Sequence, residues 1–175
     1  MTDRRHQQRF EALLGEHRRI VFKVAAIYAG SVEDRNDLAQ EICTQLWRSF
    51  AHYDEARGRF STWMYRIALN VAISHARSEP SAQALRLEPL QTHHLETIGD
   101  DDLSEQTSER LEALYALIDG LDALNRALIL LYLEDRSYAE IADILGVSET
   151  NVATKISRIK HKLRGQATAA QTIGA

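Results

Sequence analysis

The sequence has very little cysteine and no long hydrophobic run. Cys43 is the only cysteine among 175 residues, which excludes an intramolecular disulfide and a zinc site built from paired cysteines. The longest apolar run, Ala127 to Leu133, is far shorter than the roughly 18 residues that cross a bilayer. The N-terminus also lacks the apolar core of a signal peptide. We therefore expect a cytoplasmic protein with no direct membrane insertion.

Sequence patterns that mark enzymes are also missing. The chain has no glycine-rich phosphate loop, no nucleophile elbow and no H-E-x-x-H motif. The neighbouring His93 and His94 would point apart on a helix or strand. The aspartates at 100–102 are more typical of a solvated loop than of a metal site. We therefore predict no enzymatic activity, no catalytic residue, no metal site and no cofactor.

What the chain does contain is apolar residues that recur with the 3.6-residue period of an α-helix. In the first half the period predicts helices over about 5–29, from Ser31 to Phe50, and from Ser61 or Thr62 onward, with a polar loop at 52–58. We predict an all-α fold of two small helical domains joined by a flexible linker, of which the C-terminal one contains a helix-turn-helix.

The linker is marked by composition. The segment from Ser78 to Glu105 holds both prolines and carries seven acids against one base, with no sustained apolar period. These features predict an N-terminal helical domain at 1–77, an acidic flexible linker at 78–104, a C-terminal helix-turn-helix domain at 105–167 and a tail at 168–175.

The helix-turn-helix is predicted from its capping residues. Ser137 and Glu140 form the S-x-x-E pattern of a capping box, which starts a helix. Gly146 follows where a left-handed residue ends that helix, and Ser148 is the next N-cap candidate. Val152 then begins the apolar stripe of a second helix. Two short helices joined by a glycine turn are typical of a helix-turn-helix, although a plain helical hairpin would show a similar stripe.

The charge of the second helix favours nucleic acid. From Glu149 to the C-terminus there are five Lys or Arg residues against one acid, a balance that suits a helix facing phosphates. The overall charge of -4 conceals this because the linker is acidic. The DNA-binding candidates on this helix are Asn151, Thr154, Lys155, Arg158 and Lys162. Among them Thr154, Lys155 and Arg158 are the best candidates for reading base edges.

The N-terminal half offers two further surfaces. The predicted second helix has polar residues off its apolar stripe, which by themselves indicate an ordinary solvated face. The start of the third helix combines Phe60, Trp63 and Tyr65 with Arg66 and Asn70. Aromatic rings beside polar groups could hold unstacked bases, but a core position for Trp63 is the simpler interpretation.

Taken in order, three motifs resemble those of the extracytoplasmic function sigma factors of bacterial RNA polymerase. Residues 34–47, D-R-N-D-L-A-Q-E-I-C-T-Q-L-W, resemble the stretch with which that family docks on the polymerase clamp. Residues 60–72, F-S-T-W-M-Y-R-I-A-L-N-V-A, are similar to the segment that recognises the minus ten element. Residues 140–152, E-I-A-D-I-L-G-V-S-E-T-N-V, resemble part of the minus thirty-five reader.

The resemblance implies a sigma factor whose partners are core RNA polymerase, promoter DNA and an anti-sigma factor. The polymerase-binding residues it implies are Asp34, Asp37, Leu38, Gln40 and Glu41. The residues it implies for capture of flipped minus ten bases are Phe60, Thr62, Arg66 and Asn70. Two alternatives stay open at this point: a helix-turn-helix repressor or activator that binds duplex DNA alone, and a helical scaffold that binds only proteins.

Overall fold

The computed structural model of the protein describes residues 2–78 and 105–173, and within these ranges its regular structure is helical. The chain divides into two compact units, residues 1–101 and 102–175. The all-α fold class is therefore confirmed. Of the predicted acidic linker, Ser78 is the last residue of a helix, and residues 79–104 lie outside the described residues.

The described part of the N-terminal unit, residues 2–78, contains three α-helices that pack against one another. They are α1 (Thr2–Tyr28), α2 (Val32–Ser49) and α3 (Phe60–Ser78). The segment between α2 and α3, predicted as a loop, contains two short 3₁₀ turns at Phe50–His52 and Glu55–Arg57.

The core of this unit follows from the four-residue spacing of α2. Leu38, Ile42 and Leu46 recur every fourth residue and are all completely buried, so one stripe of the helix faces α1 and α3. The Ser31 hydroxyl caps α2 by accepting a hydrogen bond from the Asp34 backbone N–H at 3.1 Å. Because the apolar stripe fixes the rotation of α2, the polar residues between its members must point outward.

Residues 105–173 of the C-terminal unit form four helices: α4 (Glu105–Asp119), α5 (Ala123–Leu133), α6 (Tyr138–Leu145) and α7 (Glu149–Ile173). Helix α5 is apolar on nearly all sides and packs against the other three, which is typical of a central helix. Helix α7 continues past residue 167, where the sequence placed the end of the domain. The core joins α5 to the buried faces of α6 and α7 through Leu128, Ile141, Val152 and Ile156.

The turn between α6 and α7 forms as the sequence predicted. The Ser137 hydroxyl accepts from the Glu140 N–H at 3.2 Å, and the Glu140 carboxylate accepts from the Ser137 N–H at 3.0 Å. Gly146 ends α6 with a left-handed φ of 69°. The Ser148 hydroxyl then accepts from the Asn151 N–H at 3.1 Å and starts α7. These caps hold the two helices at one defined crossing.

Two glycines of this unit should respond oppositely to alanine. Because a β-carbon at Gly146 would meet no atom within 4 Å but would sit on a left-handed residue, we expect Gly146→Ala to lower the free energy of unfolding by about 1 kcal/mol. Gly165 lies inside α7 with equally open surroundings. Gly165→Ala should therefore raise stability by about 0.5 kcal/mol or more. Denaturant unfolding of both variants checks this, and a loss of equal size at both positions would contradict it.

Candidate functional site

The first candidate surface is the outer face of α2. Asp34, Asp37, Gln40 and Glu41 are exposed on it, and with spacings of three, four and seven residues they form a polar stripe opposite the buried one. Leu38 has no exposed surface. It therefore anchors α2 in the core and can support a partner-binding face only by holding the helix in place.

The carboxylates on this face differ in the contacts that they make within the protein. Asp34 lies in the first turn of α2, where its carboxylate accepts a hydrogen bond of 2.7 Å from the Ser31 hydroxyl and a negative charge favours the helix dipole. The Glu41 carboxylate is 4.0 Å from Nδ1 of His75 on α3. Asp37, between them, is exposed. The stripe thus presents three carboxylates and one amide on a helix whose start is capped by Ser31.

The second candidate surface is built on a cluster of aromatic rings where α2 ends and α3 begins. The ring centroids of Phe60 and Trp63 are 5.2 Å apart, and Tyr53 lies 5.3 Å from Phe60 and 5.1 Å from Trp63. Phe50 packs beneath them. Phe60 is only 5% exposed, so it supports this surface from within, whereas Tyr53 and Trp63 are half-buried.

Polar side chains continue the surface along α3. Thr62 is half-buried, and Arg66 and Asn70 are exposed. They are four residues apart, so they follow one line of the helix that is about 12 Å long at 1.5 Å per residue. This line begins beside the aromatic cluster. Of the four residues predicted for base capture, the structure therefore brings three together on the surface and places Phe60 below them.

The loop that precedes α3 is held by contacts that span the N-terminal unit. Arg9 of α1 forms an ion pair with Glu55, and its guanidinium lies 5.9 Å from the centre of the Phe50 ring. The Tyr53 hydroxyl donates to the Gly58 carbonyl at 3.3 Å. Burial, followed by the nearby Glu55 carboxylate, raises the pKa of Tyr53, which favours the protonated donor. The sequence contained no signal for the Arg9 contact because it joins residues far apart in the chain.

The third candidate surface is the outer face of α7. Asn151, Thr154, Arg158 and Lys162 are exposed and Lys155 is half-buried. All five lie away from the buried stripe that starts at Val152. The Thr154 hydroxyl donates to the Thr150 carbonyl at 2.9 Å, which fixes its rotamer. This face combines two amide or hydroxyl side chains with three cations, a set that can contact both base edges and phosphates.

Two observations concern reactive and metal-binding side chains in the described parts of the chain. Burial raises the pKa of the Cys43 thiol, so that it is not an activated nucleophile. Among the described side chains, no group of three His, Cys, Asp or Glu residues is placed to hold a metal ion.

Each of the two units matches the model of a known protein family. The family model for sigma-70 region 2 matches residues 13–80, and that for sigma-70 region 4 matches residues 111–163. The chain is 27% identical over 168 residues to the ECF RNA polymerase sigma factor SigW of Bacillus subtilis, with 91% of this chain and 89% of SigW covered. The chain belongs to the ECF sigma factors of bacterial RNA polymerase.

Further relatives of this sigma factor agree. It is 31% identical over 159 residues to the ECF sigma factor SigE of Mycolicibacterium smegmatis, covering 89% of this chain but only 60% of SigE. It is 28% identical to the ECF sigma-E factor of Escherichia coli over 90% of this chain and 85% of that protein. The structure of CnrH in complex with the cytosolic domain of CnrY shares the fold, with a TM-score of 0.65, 23% identity, and 93% and 90% of the two chains covered.

The family assignment places the candidate surfaces in two regions. The region 2 match contains the outer face of α2 and the aromatic cluster with α3, and the region 4 match contains the helix-turn-helix. As an RNA polymerase sigma factor, the protein directs core polymerase to promoters, and the alternative of a repressor or activator that acts alone is not favoured. In the parts of the sigma factor that the structure describes, no helix is long and apolar enough to span a membrane.

Proposed function

We propose that the three surfaces divide the work of promoter recognition. The outer face of α2 binds core RNA polymerase, the line from Thr62 to Asn70 captures unstacked bases of the minus ten element, and the outer face of α7 reads the minus thirty-five element. The observation that carries this division is that each surface lies on a helix whose opposite side is buried, because such helices present their outer side chains in a fixed geometry.

Capture of a base requires a surface that compensates for lost stacking. Flipping a base out of a duplex costs a few kcal/mol, and stacking on an aromatic side chain can return roughly 1 to 3 kcal/mol. Tyr53 and Trp63 are half-buried and therefore retain some ring surface for this role. Arg66 and Asn70 supply donors that can recognise the edge of the base. Phe60 acts from below by fixing the positions of the other rings.

The side-chain amide of Asn70 allows the proposed capture of a base to be tested. We expect Asn70→Ala to lower open-complex formation at a double-stranded promoter roughly tenfold, because a hydrogen bond to the captured base is lost, while binding to core polymerase stays unchanged. Formation of the open complex can be followed by permanganate footprinting of the minus ten region. Gln8→Ala is the matched control, because it removes the same kind of side-chain amide from an exposed position on α1. Equal defects in both variants would contradict a specific role for Asn70.

The basic residues of α7 should divide into base readers and phosphate binders. If Lys155 or Arg158 contacts a base edge, its replacement by alanine should weaken promoter binding by roughly 1 to 3 kcal/mol and relax the preference at one base position. A loss that is uniform across sequences would instead make that residue a phosphate contact. Holoenzyme binding to a set of single-base promoter variants separates these two results.

We also infer that an anti-sigma factor regulates this protein in the cytoplasm and that bond-making chemistry stays with the polymerase. Two similar structures support the first point: CnrH is described in complex with the cytosolic domain of CnrY, and RpoE of Bartonella quintana with the anti-sigma factor NepR. The expected result is that a protein co-purifying with the tagged sigma factor blocks its binding to core polymerase. A sigma factor recovered only with polymerase subunits would count against this partner.

The experiment that tests the whole proposal is transcription in vitro with core polymerase and a genomic promoter library, with and without this protein. We expect new start sites that depend on the protein and share minus ten and minus thirty-five sequences. Tight binding of the isolated protein to duplex DNA, without any new start site, would overturn the proposed division.

A further inference from the structure

A pocket of about 400 Å³ on the C-terminal unit is not explained by the base-reading face of α7. Its lining side chains are Tyr138, Ser157, Lys160, His161 and Arg164. Tyr138 is the first residue of α6, and the other four belong to α7. Two hydroxyls, two permanent cations and an imidazole thus converge without a carboxylate among them, which is a donor set suited to anionic oxygen atoms.

Most of these donors are uncommitted within the protein. In residues 2–78 and 105–173, the side chains of Ser157, His161 and Arg164 form no hydrogen bond or ion pair with another group. Lys160 has one contact, with its ammonium 4.1 Å from the centre of the Tyr132 ring. That cation–π contact holds the ammonium in place but leaves its N–H donors available. Arg136 precedes α6 but does not line the pocket, and its guanidinium is already paired with the Glu140 carboxylate at 3.9 Å.

The pocket lies on its own stripe of α7. Ser157, Lys160, His161 and Arg164 have the spacing i, i+3, i+4 and i+7, so they share one side of the helix. At 3.6 residues per turn this side lies between the buried stripe and the proposed base-reading face. The start of α6 closes the pocket through Tyr138. The pocket therefore borders the DNA-reading face without belonging to it.

This position identifies the chemistry of the ligand. When a helix-turn-helix binds DNA, the second helix enters the major groove and the first crosses the sugar–phosphate backbone. A pocket shared by the start of the first helix and the flank of the second faces that backbone. We propose that it holds one phosphodiester group of the promoter, with Lys160 and Arg164 supplying the charge and Tyr138 and Ser157 donating hydrogen bonds. Such a contact fixes the register of the recognition helix and carries no sequence information of its own.

The proposal rests on the DNA-binding role proposed for α7 and adds a contact that none of the predicted residues supplies. It can be tested with the full-length protein assembled with core polymerase on a promoter fragment. Single phosphates of the minus thirty-five region are replaced in turn by uncharged methylphosphonates, and the affinity of the holoenzyme is measured for each. For the wild-type chain we expect one or two neighbouring positions at which the replacement lowers the affinity roughly tenfold, as for a charge-assisted contact.

Arg164→Gln should abolish the sensitivity at those positions and at no others. It should also lower the affinity for unmodified DNA equally across promoter sequences and reduce the salt slope by about 1. Ser157→Ala should weaken the same sensitivity more modestly. Arg110→Gln is the control, because Arg110 is exposed on α4 and does not line the pocket; it should leave the whole pattern unchanged.

Retention of the full pattern by Arg164→Gln would overturn the proposal. A second arm adds inorganic phosphate to the free protein and follows the His161 ring by NMR. The proposal would also be overturned if phosphate binding depended on Arg164 while the wild-type and Arg164→Gln holoenzymes showed the same methylphosphonate pattern. That result would identify a free-phosphate site instead. Failure of the wild-type holoenzyme to bind any promoter would refute the proposed function itself, and this is distinct from a failure confined to the Arg164 variant.

Discussion

Reversing the charge of Asp37 should weaken binding to core RNA polymerase by a factor on the order of 100. Asp37 is exposed at the middle of the acidic face of α2, between Asp34, which is partly engaged by Ser31, and Glu41. Asp37→Lys would place a cation where the proposed interface presents a negative stripe, so that attraction is replaced by repulsion. Titration of labelled sigma factor with core polymerase measures the effect directly.

The same substitution should leave folding unchanged, because an exposed side chain away from caps and core alters stability by no more than about 0.5 kcal/mol. Glu16→Lys on α1 is the matched control: Glu16 is exposed, and its reversal changes the net charge of the protein equally. If both variants lose the same affinity, the effect belongs to overall charge and the acidic face of α2 is not the docking surface.

Capping residues and apolar spacing were sufficient to predict the helices of this fold. Ser31, the pair Ser137 and Glu140, and Gly146 act on backbone groups within a few residues of themselves, so their effect can be predicted without knowing the tertiary structure. The four-residue repeat of Leu38 with its neighbours likewise determined which side of α2 is buried. These interactions depend on sequence spacing alone.

The candidate surfaces were less predictable because a motif does not separate contact residues from supporting ones. Leu38 lies inside the acidic motif, yet its apolar spacing places it in the core, where it can only position the helix. Phe60 stands at the start of α3, and no periodicity could show that Phe50 and Tyr53 would enclose it. In both cases the fold decides which way the side chain points.

Contacts between residues that are far apart in the chain could not be predicted from the sequence. The ion pair of Arg9 with Glu55 and the approach of Tyr138 to the flank of α7 require the helices to be packed first. A weak signal did exist for Arg126, which precedes the buried Ile129 and Leu130 by three and four residues. That spacing places Arg126 on a core-facing side of α5, an unusual position for a cation.

Loss of Arg126 should strongly destabilise the C-terminal unit. It is 2% exposed, and its guanidinium donates to the Leu121 carbonyl at 2.9 Å and to the Asp119 carbonyl at 2.6 Å. The Asp119 carboxylate lies 3.7 Å from the same group. Since α4 ends at Asp119, one buried cation supplies donors at the negative end of that helix and fixes the turn into α5.

We expect Arg126→Met to lower the free energy of unfolding of this unit by about 2 to 3 kcal/mol. Methionine keeps apolar bulk in place of the arginine stem, but it removes the donor to the buried Leu121 carbonyl and to the part-buried Asp119 carbonyl. An unsatisfied buried group costs about 1 to 3 kcal/mol, and a part-buried group costs less because water can reach it. A small domain has only several kcal/mol of stability, so a large share of it would be lost. Denaturant unfolding followed by circular dichroism measures the change.

Arg126→Lys separates the roles of charge and geometry. A lysine ammonium can replace the charge but cannot direct two hydrogen bonds in the fixed planar arrangement of a guanidinium. If lysine restored most of the stability, the electrostatic attraction to Asp119 and to the end of α4 would be the main contribution. We expect instead that lysine recovers only a small part, because the two carbonyls bind separate nitrogen atoms of Arg126 and the carboxylate of Asp119 is itself partly exposed, which weakens its attraction for any cation.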